Sequence, residues 1–444
     1  MSKIKKTVST DSDTKKMSLT GAILMGLGGM IGAGIFVLLG QAGAIAGSAA
    51  WISFFIAGII MLLTGYSYGK LGARYPSSGG VVEYLTQGFG AGLFSGSVSI
   101  LYYFAQIISL SMLAVSFGVY AGPLLFGPDV SSATESILGS GLLVLMTLVN
   151  FVGSKTVTKA ESIIVGINVI ILLIFTVPAL TEVEPKLIAP STYPSMELIL
   201  FSLALTFFAF TGFGVITNTA GDIDNPKKNL PKAIMLAIGI VMILYIAIAL
   251  AVYGTLPVDK VIAAKNTALA AAAEPILGHI GFVLVSISAM LATASAINAS
   301  LYGTTNQTYM LAKNGELPEG FSRRLWKQGT EGLAITTGIA LILANTMNLM
   351  AIASLASITM IIVYLVVNIG HMRLTKETGA KRTLVILATI TSFGVLGLFL
   401  YHVYKTAPKT GLVLLLFIFA AFIGEYLIQK IRKRKIMPAI KEEL

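Results

Sequence analysis

The stretch MGLGGMIGAGIFVLLG, residues 25–40, carries no charged residue and has six glycines in sixteen positions. Its apolar character points to a membrane, yet glycine in a helix interior costs about 1 kcal/mol relative to alanine. A packing face accounts for two of the six, because Gly28 and Gly32 form a GxxxG pair, a spacing that lets membrane helices approach closely. The denser GGMIGAG core, residues 28–34, reads instead as a local unwinding that leaves backbone N–H and C=O groups free. Such groups are tolerated at membrane depth only where protein, water or a ligand satisfies them. A dinucleotide fingerprint is excluded, since glycines at 26 and 28 would need a third at Ile31 and no soluble strand precedes them. A small ligand is the remaining reason to free the backbone.

Composition agrees with a membrane protein. Of 444 residues, 55% are hydrophobic and only 11% charged, with a mean hydropathy of +0.85. There is no cysteine, hence no disulfide framework, thiol nucleophile or thiolate metal site. The three histidines, His279, His371 and His402, lie far apart without ligand-like spacing, so neither a metal nor another cofactor is expected. The first sixteen residues are polar and lysine-bearing, unlike a cleaved signal peptide, and are expected to stay in the cytoplasm.

Segments of roughly twenty apolar residues occur at 18–46, 49–73, 92–120, 136–153, 158–180, 197–221, 231–255, 279–311, 332–348, 350–371, 383–404 and 410–430. The expected fold is an all-α polytopic membrane protein with 12 transmembrane helices. Lysine and arginine test this layout, because they gather in cytoplasmic loops. With both termini inside, 26 of the 31 fall on the cytoplasmic side, leaving Lys186, Lys260, Lys265, Lys405 and Lys409 outside. The net charge of +11 therefore follows from topology and gives no reason to expect nucleic acid, and the basic run KIRKRK, residues 430–435, reads as an anchor facing anionic lipid.

A transporter built from inverted repeats breaks a second helix at the matching place in its other half. The sixth span supplies FFAFTGFGV, residues 207–215, with Gly212 and Gly214 among aromatics. Each break lies in the first helix of a five-span set. The chain thus divides into a cytoplasmic tail (1–16), a first repeat (17–180), a second repeat (197–371), two further spans (383–430) and a basic cytoplasmic tail (431–444).

GGMIGAGIF (28–36), together with FFAFTGFGVITNTAGDIDNPKKNLPKAI (207–234), strongly resembles the amino acid, polyamine and organocation superfamily of permeases, and within it the archaeal proton-coupled amino acid transporters of the ApcT kind. VNFVGSKTVTKAE (149–161) and AKNGELPEGF (312–321) extend the likeness over most of the first ten spans. The resemblance implies the LeuT-type fold, a five-plus-five inverted repeat with broken helices 1 and 6 and alternating access around a midplane site. It implies that amides around Ala33 and Gly34, with Gly32 allowing the bend, hold a substrate carboxylate, as a helix N-terminus does for an anion. Carbonyls near Met30, Phe208 and Thr211, with Ile31 beside them, would meet the α-amino group.

No Asp, Glu, Lys or Arg lies in the middle of spans one, three, six, eight or ten. Phe207, Phe210, Phe213, Gln106 and Ser109 are the nearby candidates for the rest of the pocket. An unpaired charge there would be costly, so neutral, small or apolar amino acids are expected as substrates.

In proton-coupled relatives a lysine on the fifth helix takes the place of a sodium ion. Alignment with that pattern puts Asn168 there, and asparagine cannot titrate. It is expected to reach the carbonyls of Gly28 and Ile31 and the hydroxyl of Ser295, as a fixed substitute. Proton or sodium symport, exchange and uncoupled uniport all stay open. Glu161, Glu425 and His402 are other titratable groups, and Asp222 and Asp224 are candidate gate partners for loop cations. An enzyme would need paired acids, a histidine cluster or an activated nucleophile within the spans, and none is visible. A transporter-fold amino acid sensor is the other class, since binding and transport would use one pocket.

Overall fold

The structure is a computed structural model that describes residues 16–77, 79–152, 157–314, 317–326, 329–406 and 408–432. Its helices are α1 (Leu19–Met30), α2 (Ala33–Ala46), α3 (Ala50–Arg74), α4 (Val81–Phe89), α5 (Leu93–Phe126), α6 (Ser132–Val152), α7 (Val157–Thr181), α8 (Met196–Phe208), α9 (Gly214–Asn218), α10 (Pro226–Thr255), α11 (Val258–Ala264), α12 (Ala268–Leu277), α13 (His279–Asn314), α14 (Glu331–Thr346), α15 (Leu349–Thr378), α16 (Arg382–Thr406) and α17 (Pro408–Arg432). A small antiparallel hairpin, β1 (Arg324–Trp326) and β2 (Gly329–Thr330), precedes α14.

Among the described residues, ten helical segments are long and apolar enough to cross a membrane, and α14, with 16 residues, is a shorter apolar helix. The first of the ten runs over 56 residues from Leu19 to Arg74 and takes in α1, α2 and α3. At 1.5 Å per residue that is about 84 Å of helix, more than twice a hydrocarbon core. Short helices fill stretches that the hydropathy left as loops: α4 between α3 and α5, and α11 and α12 between α10 and α13.

Burial separates a centre from a rim. Nearly every residue of α2 is buried, whereas α6, α7, α16 and α17 turn large apolar side chains outward, among them Ile137, Ile163, Phe393 and Phe419. That pattern suits a bundle solvated by lipid, where apolar groups face outward at no cost. At the centre α1 packs against α7, α10 and α13, α2 against α8, and α3 against α10. Helix starts are fixed locally: the side chains of Ser18, Thr330 and Asn348 accept from the amides of Gly21, Leu333 and Ala351 at 3.2, 3.2 and 2.9 Å.

The entry to α1 is also stitched to the segment after α9. The Met17 amide donates to the Asp222 carbonyl at 2.7 Å, and the Asp224 amide donates to the Met17 carbonyl at 2.9 Å.

Candidate functional site

The first break is narrower than the sequence suggests. Helix α1 continues through Gly28 and Gly29 to Met30, and only Ile31 and Gly32 leave the helix before α2 begins at Ala33. The Gly32 N–H turns back to the Met30 carbonyl at 2.9 Å. Gly32 gives α2 no side-chain cap, so the first amides of α2, at Ala33 and Gly34, meet the adjoining space without an intrahelical acceptor. They carry the positive end of the helix dipole.

The second break is tighter. After α8 ends at Phe208, residues 211–213 form a single 3-10 turn that leads into the five-residue α9. The two breaks touch backbone to backbone. A Cβ on Gly29 would sit 2.6 Å from the Gly212 carbonyl oxygen, and one on Gly212 would overlap the Gly29 carbonyl. Gly28 has a different role: a Cβ there would lie 2.7 Å from the Val165 side chain. The glycine-rich stretch therefore serves mostly close approach, with Gly32 at the bend itself.

Carbonyls expected to receive an ammonium already accept hydrogen bonds within the protein. The Tyr245 hydroxyl donates to the Met30 carbonyl at 2.6 Å, beside the Gly32 amide. The Tyr364 hydroxyl donates to the Thr211 carbonyl at 2.8 Å, and the Thr211 hydroxyl donates to the Phe208 carbonyl at 2.8 Å. A carbonyl has two lone pairs, so Met30 is filled, while Phe208 keeps capacity.

Between the breaks lies a small, partly open cavity. It is lined by Met30, Ala33, Gly34, Gln106, Phe208 and Thr211 of the expected residues. Ile31, Gly32 and Phe207 are not on its wall. Phe207 is fully buried against Tyr364, Phe210 against Tyr245, and Phe213 against Tyr68 and Tyr364, so these three rings pack the breaks. Ser109 lines the cavity, and sequence reasoning missed Tyr102, Leu113, Ser300 and Met360. The first two had a signal: with Gln106 and Ser109 they repeat at helical spacing along one face of α5. The Gln106 amide donates to the Tyr102 hydroxyl at 3.2 Å. None of the lining side chains is charged.

Asn168 is buried, but its hydrogen bonds go elsewhere than to Gly28, Ile31 and Ser295. In the orientation that satisfies both ends of its amide, the nitrogen donates to the Ser288 hydroxyl at 3.2 Å and carbonyl at 3.1 Å, and the oxygen accepts from the Ala292 amide at 3.2 Å. Asn168 thus clasps both ends of one α13 backbone rung, a complementary donor and acceptor pair that suits an amide. Ser295 lies two turns further along α13. Its hydroxyl is buried, has no hydrogen-bond partner, and lies 3.9 Å from where a Gly28 Cβ would be.

At the rim, burial pushes the Asp222 carboxyl up from the usual aspartate range. Burial and then the hydrogen bond to Glu377, at 2.8 Å, push the Tyr75 hydroxyl up to about 12. Among the described residues the ion pairs are His279–Glu274 and Arg323–Glu331, so neither Asp222 nor Asp224 is engaged with a cation. No cluster of metal-ligating side chains occurs among the described residues. The side chains of Lys155, Lys159 and Glu161 and both chain tails, 1–15 and 433–444, lie outside the described residues.

A family model described as amino acid permease matches residues 17–428. The chain belongs to this family. It is similar to the uncharacterized protein MJ0609 of Methanocaldococcus jannaschii, 39% identical over 95% of this chain and 97% of that one. The inner membrane transport protein YbaT of Escherichia coli is 33% identical over 96% of this chain and 98% of its own length. The aspartate-proton symporter of Bacillus subtilis is 28% identical over 80% of this chain and 72% of its own. The permease is therefore a multi-pass membrane transporter of amino acids and not an enzyme, in agreement with the motif resemblance.

Proposed function

We propose that this permease is a secondary active transporter of neutral, small or apolar amino acids, working by alternating access in the cytoplasmic membrane. Ten of its twelve crossings form a five-plus-five inverted repeat, followed by two further spans, with both termini cytoplasmic. In this count the 56-residue segment makes two crossings and α14 makes one.

The observation that carries the reading is the uncapped start of α2, whose Ala33 and Gly34 amides open onto an uncharged cavity between two broken helices. A carboxylate there would gain charge-assisted hydrogen bonds and the helix dipole. The ammonium group would take the free capacity of the Phe208 carbonyl, with the Gln106 side-chain oxygen and the Ser109 and Ser300 hydroxyls nearby on the wall. The absence of charge on that wall supports a neutral side chain, because a charged one would stay unpaired.

Coupling is by symport or exchange. Asn168 serves as a fixed clasp, and the unpartnered Ser295 hydroxyl beside Gly28 is where a small cation, sodium above all, would find a ligand. Exchange or uniport without an ion is the second reading, favoured by the untitratable Asn168.

The test is uptake into proteoliposomes across a panel of labelled amino acids, with proton, sodium and counter-substrate gradients imposed in turn. Accumulation of neutral amino acids beyond the amount of protein present is expected. Saturable binding without uptake would make the protein a sensor, and preferential uptake of aspartate or arginine would overturn the neutral reading.

A further inference from the structure

The transport reading makes no use of a carboxyl buried in the last helix. Glu425 on α17 is completely buried within a segment apolar enough to span the membrane. It faces Gly96 of α5, where a Cβ would come within 2.5 Å of its Oε1, so the glycine makes the room. The antiparallel register continues along both helices, with Phe104 against Phe417 at 5.4 Å and Phe94 near Phe422 at 6.5 Å between ring centres. Oε1 accepts from the Gln429 amide at 2.7 Å, whereas Oε2 is buried and has no partner.

Among the described residues, the surrounding elements supply no counter-charge. Helix α5 carries no Asp, Glu, Lys, Arg or His, and its tyrosines are Tyr102, Tyr103 and Tyr120. On α15, Arg373 lies over the Phe89 ring, His371 bonds Ser67 and Thr378, Glu377 bonds Tyr75, and Lys376 lies at the helix end. On α16, Lys405 lies over Tyr401, His402 against Phe201, and Arg382 at the start. On α17 itself, Lys430 lies over Tyr426. None of these forms an ion pair with Glu425. An ionised carboxylate at that depth without a cation is costly, and intramembrane carboxyls of this kind mark proton paths.

We propose that Glu425 is a proton-binding site, protonated in this closed arrangement of α5 and α17, and that release of its proton loosens α5. The inference rests on the transport reading, since α5 is also a wall of the cavity through Tyr102, Gln106, Ser109 and Leu113. Tyr102 lies six residues beyond Gly96, about 9 Å along the axis and about 120° around it. One face of α5 therefore senses the proton while another holds the substrate, so a proton bound at Glu425 would act on the cavity from the periphery, apart from any cation at Ser295.

Two measurements on the reconstituted full-length protein test this. A lipid-soluble carbodiimide, which modifies protonated carboxyls from the apolar phase, is expected to label Glu425 at neutral pH, read by peptide mass spectrometry. Uptake by the wild type is expected to depend on pH, uptake by Glu425→Gln to become independent of it, and Gln429→Leu, which removes the donor that favours the charged form, to move the profile to higher pH. No labelling, or an unaltered profile in both variants, overturns the proposal. Labelling does not depend on transport, so a protein that is labelled but moves no amino acid would contradict the transport reading and leave the protonated carboxyl standing.

Discussion

The two broken helices do opposite chemistry with similar means. At Ile31 and Gly32 the chain leaves the helix for two residues and restarts with bare N–H groups, so the first break offers donors. Around Thr211 the chain tightens into a 3-10 turn, and its carbonyls are met by Tyr364, by the Thr211 hydroxyl and, at Ala209, by a long contact from Tyr245 at 3.4 Å. The first break leaves its amide donors uncapped, while the second is largely satisfied by the protein itself. Recognition of an amino acid would then be led by its carboxylate.

The largest way to break this comparison is to separate the two breaks. Gly212→Val drives a side chain into the Gly29 backbone, which has nowhere to move; a loss of about 3 kcal/mol is expected as a lower unfolding midpoint in detergent. A variant as stable as the wild type would mean that the backbones do not meet. Next, Gly32→Val stiffens the bend and crowds Ala296 and Leu113, each 3.2 Å from the added Cβ. Loss of one charge-assisted hydrogen bond at Ala33 or Gly34 predicts roughly tenfold to a hundredfold weaker equilibrium binding of the amino acid, and retained affinity would remove the carboxylate from this place.

Asn168→Leu leaves the Ser288 and Ala292 backbone groups without their clasp, at about 1–2 kcal/mol of stability. Binding affinity should be unchanged, because Asn168 is off the cavity wall; a lost sodium or proton dependence would instead return it to the coupling site. Tyr364→Phe frees the Thr211 carbonyl. Stability should fall by about 1 kcal/mol while affinity holds or rises, and a tenfold fall in affinity would show that the hydroxyl itself meets the substrate.

The smallest effect is expected at Asp222. Its carboxyl is held above the ordinary value of 3.8 by burial, so the folded state favours the protonated form. That contribution is full below 3.8 and is lost as pH rises through the folded-state value. Asp222→Asn should therefore melt slightly higher than wild type at neutral pH, with the gap closing on acidification; a gap independent of pH would exclude ionisation as the cause.

Much of this was legible in one dimension. Hydropathy located the apolar segments within a few residues, because a bilayer demands a fixed length of them, and the glycine clusters at 28–34 and 212–214 marked both breaks. What glycine could not reveal was which of its two uses applied: Gly32 sits at a bend, whereas Gly29 and Gly212 are contact points between helices nearly two hundred residues apart in sequence. The phenylalanines 207, 210 and 213 looked like pocket walls but fill the space behind the breaks. The helical repeat on α5 was only half read, and nothing local in Met360 or Ser300 distinguishes a lining residue from its neighbours.

By itself, then, the sequence determined the membrane as solvent, the gathering of basic residues between the apolar segments and the two weak points at 28–34 and 207–215, since these follow from counts and spacing along the chain. Only the tertiary structure decided that the tyrosines 245 and 364 occupy the freed carbonyls, that Asn168 clasps α13, and that Glu425 lies against Gly96. Each of those depends on which helices meet, and a hydrogen bond or a missing Cβ acquires its meaning from a partner that the local sequence does not name.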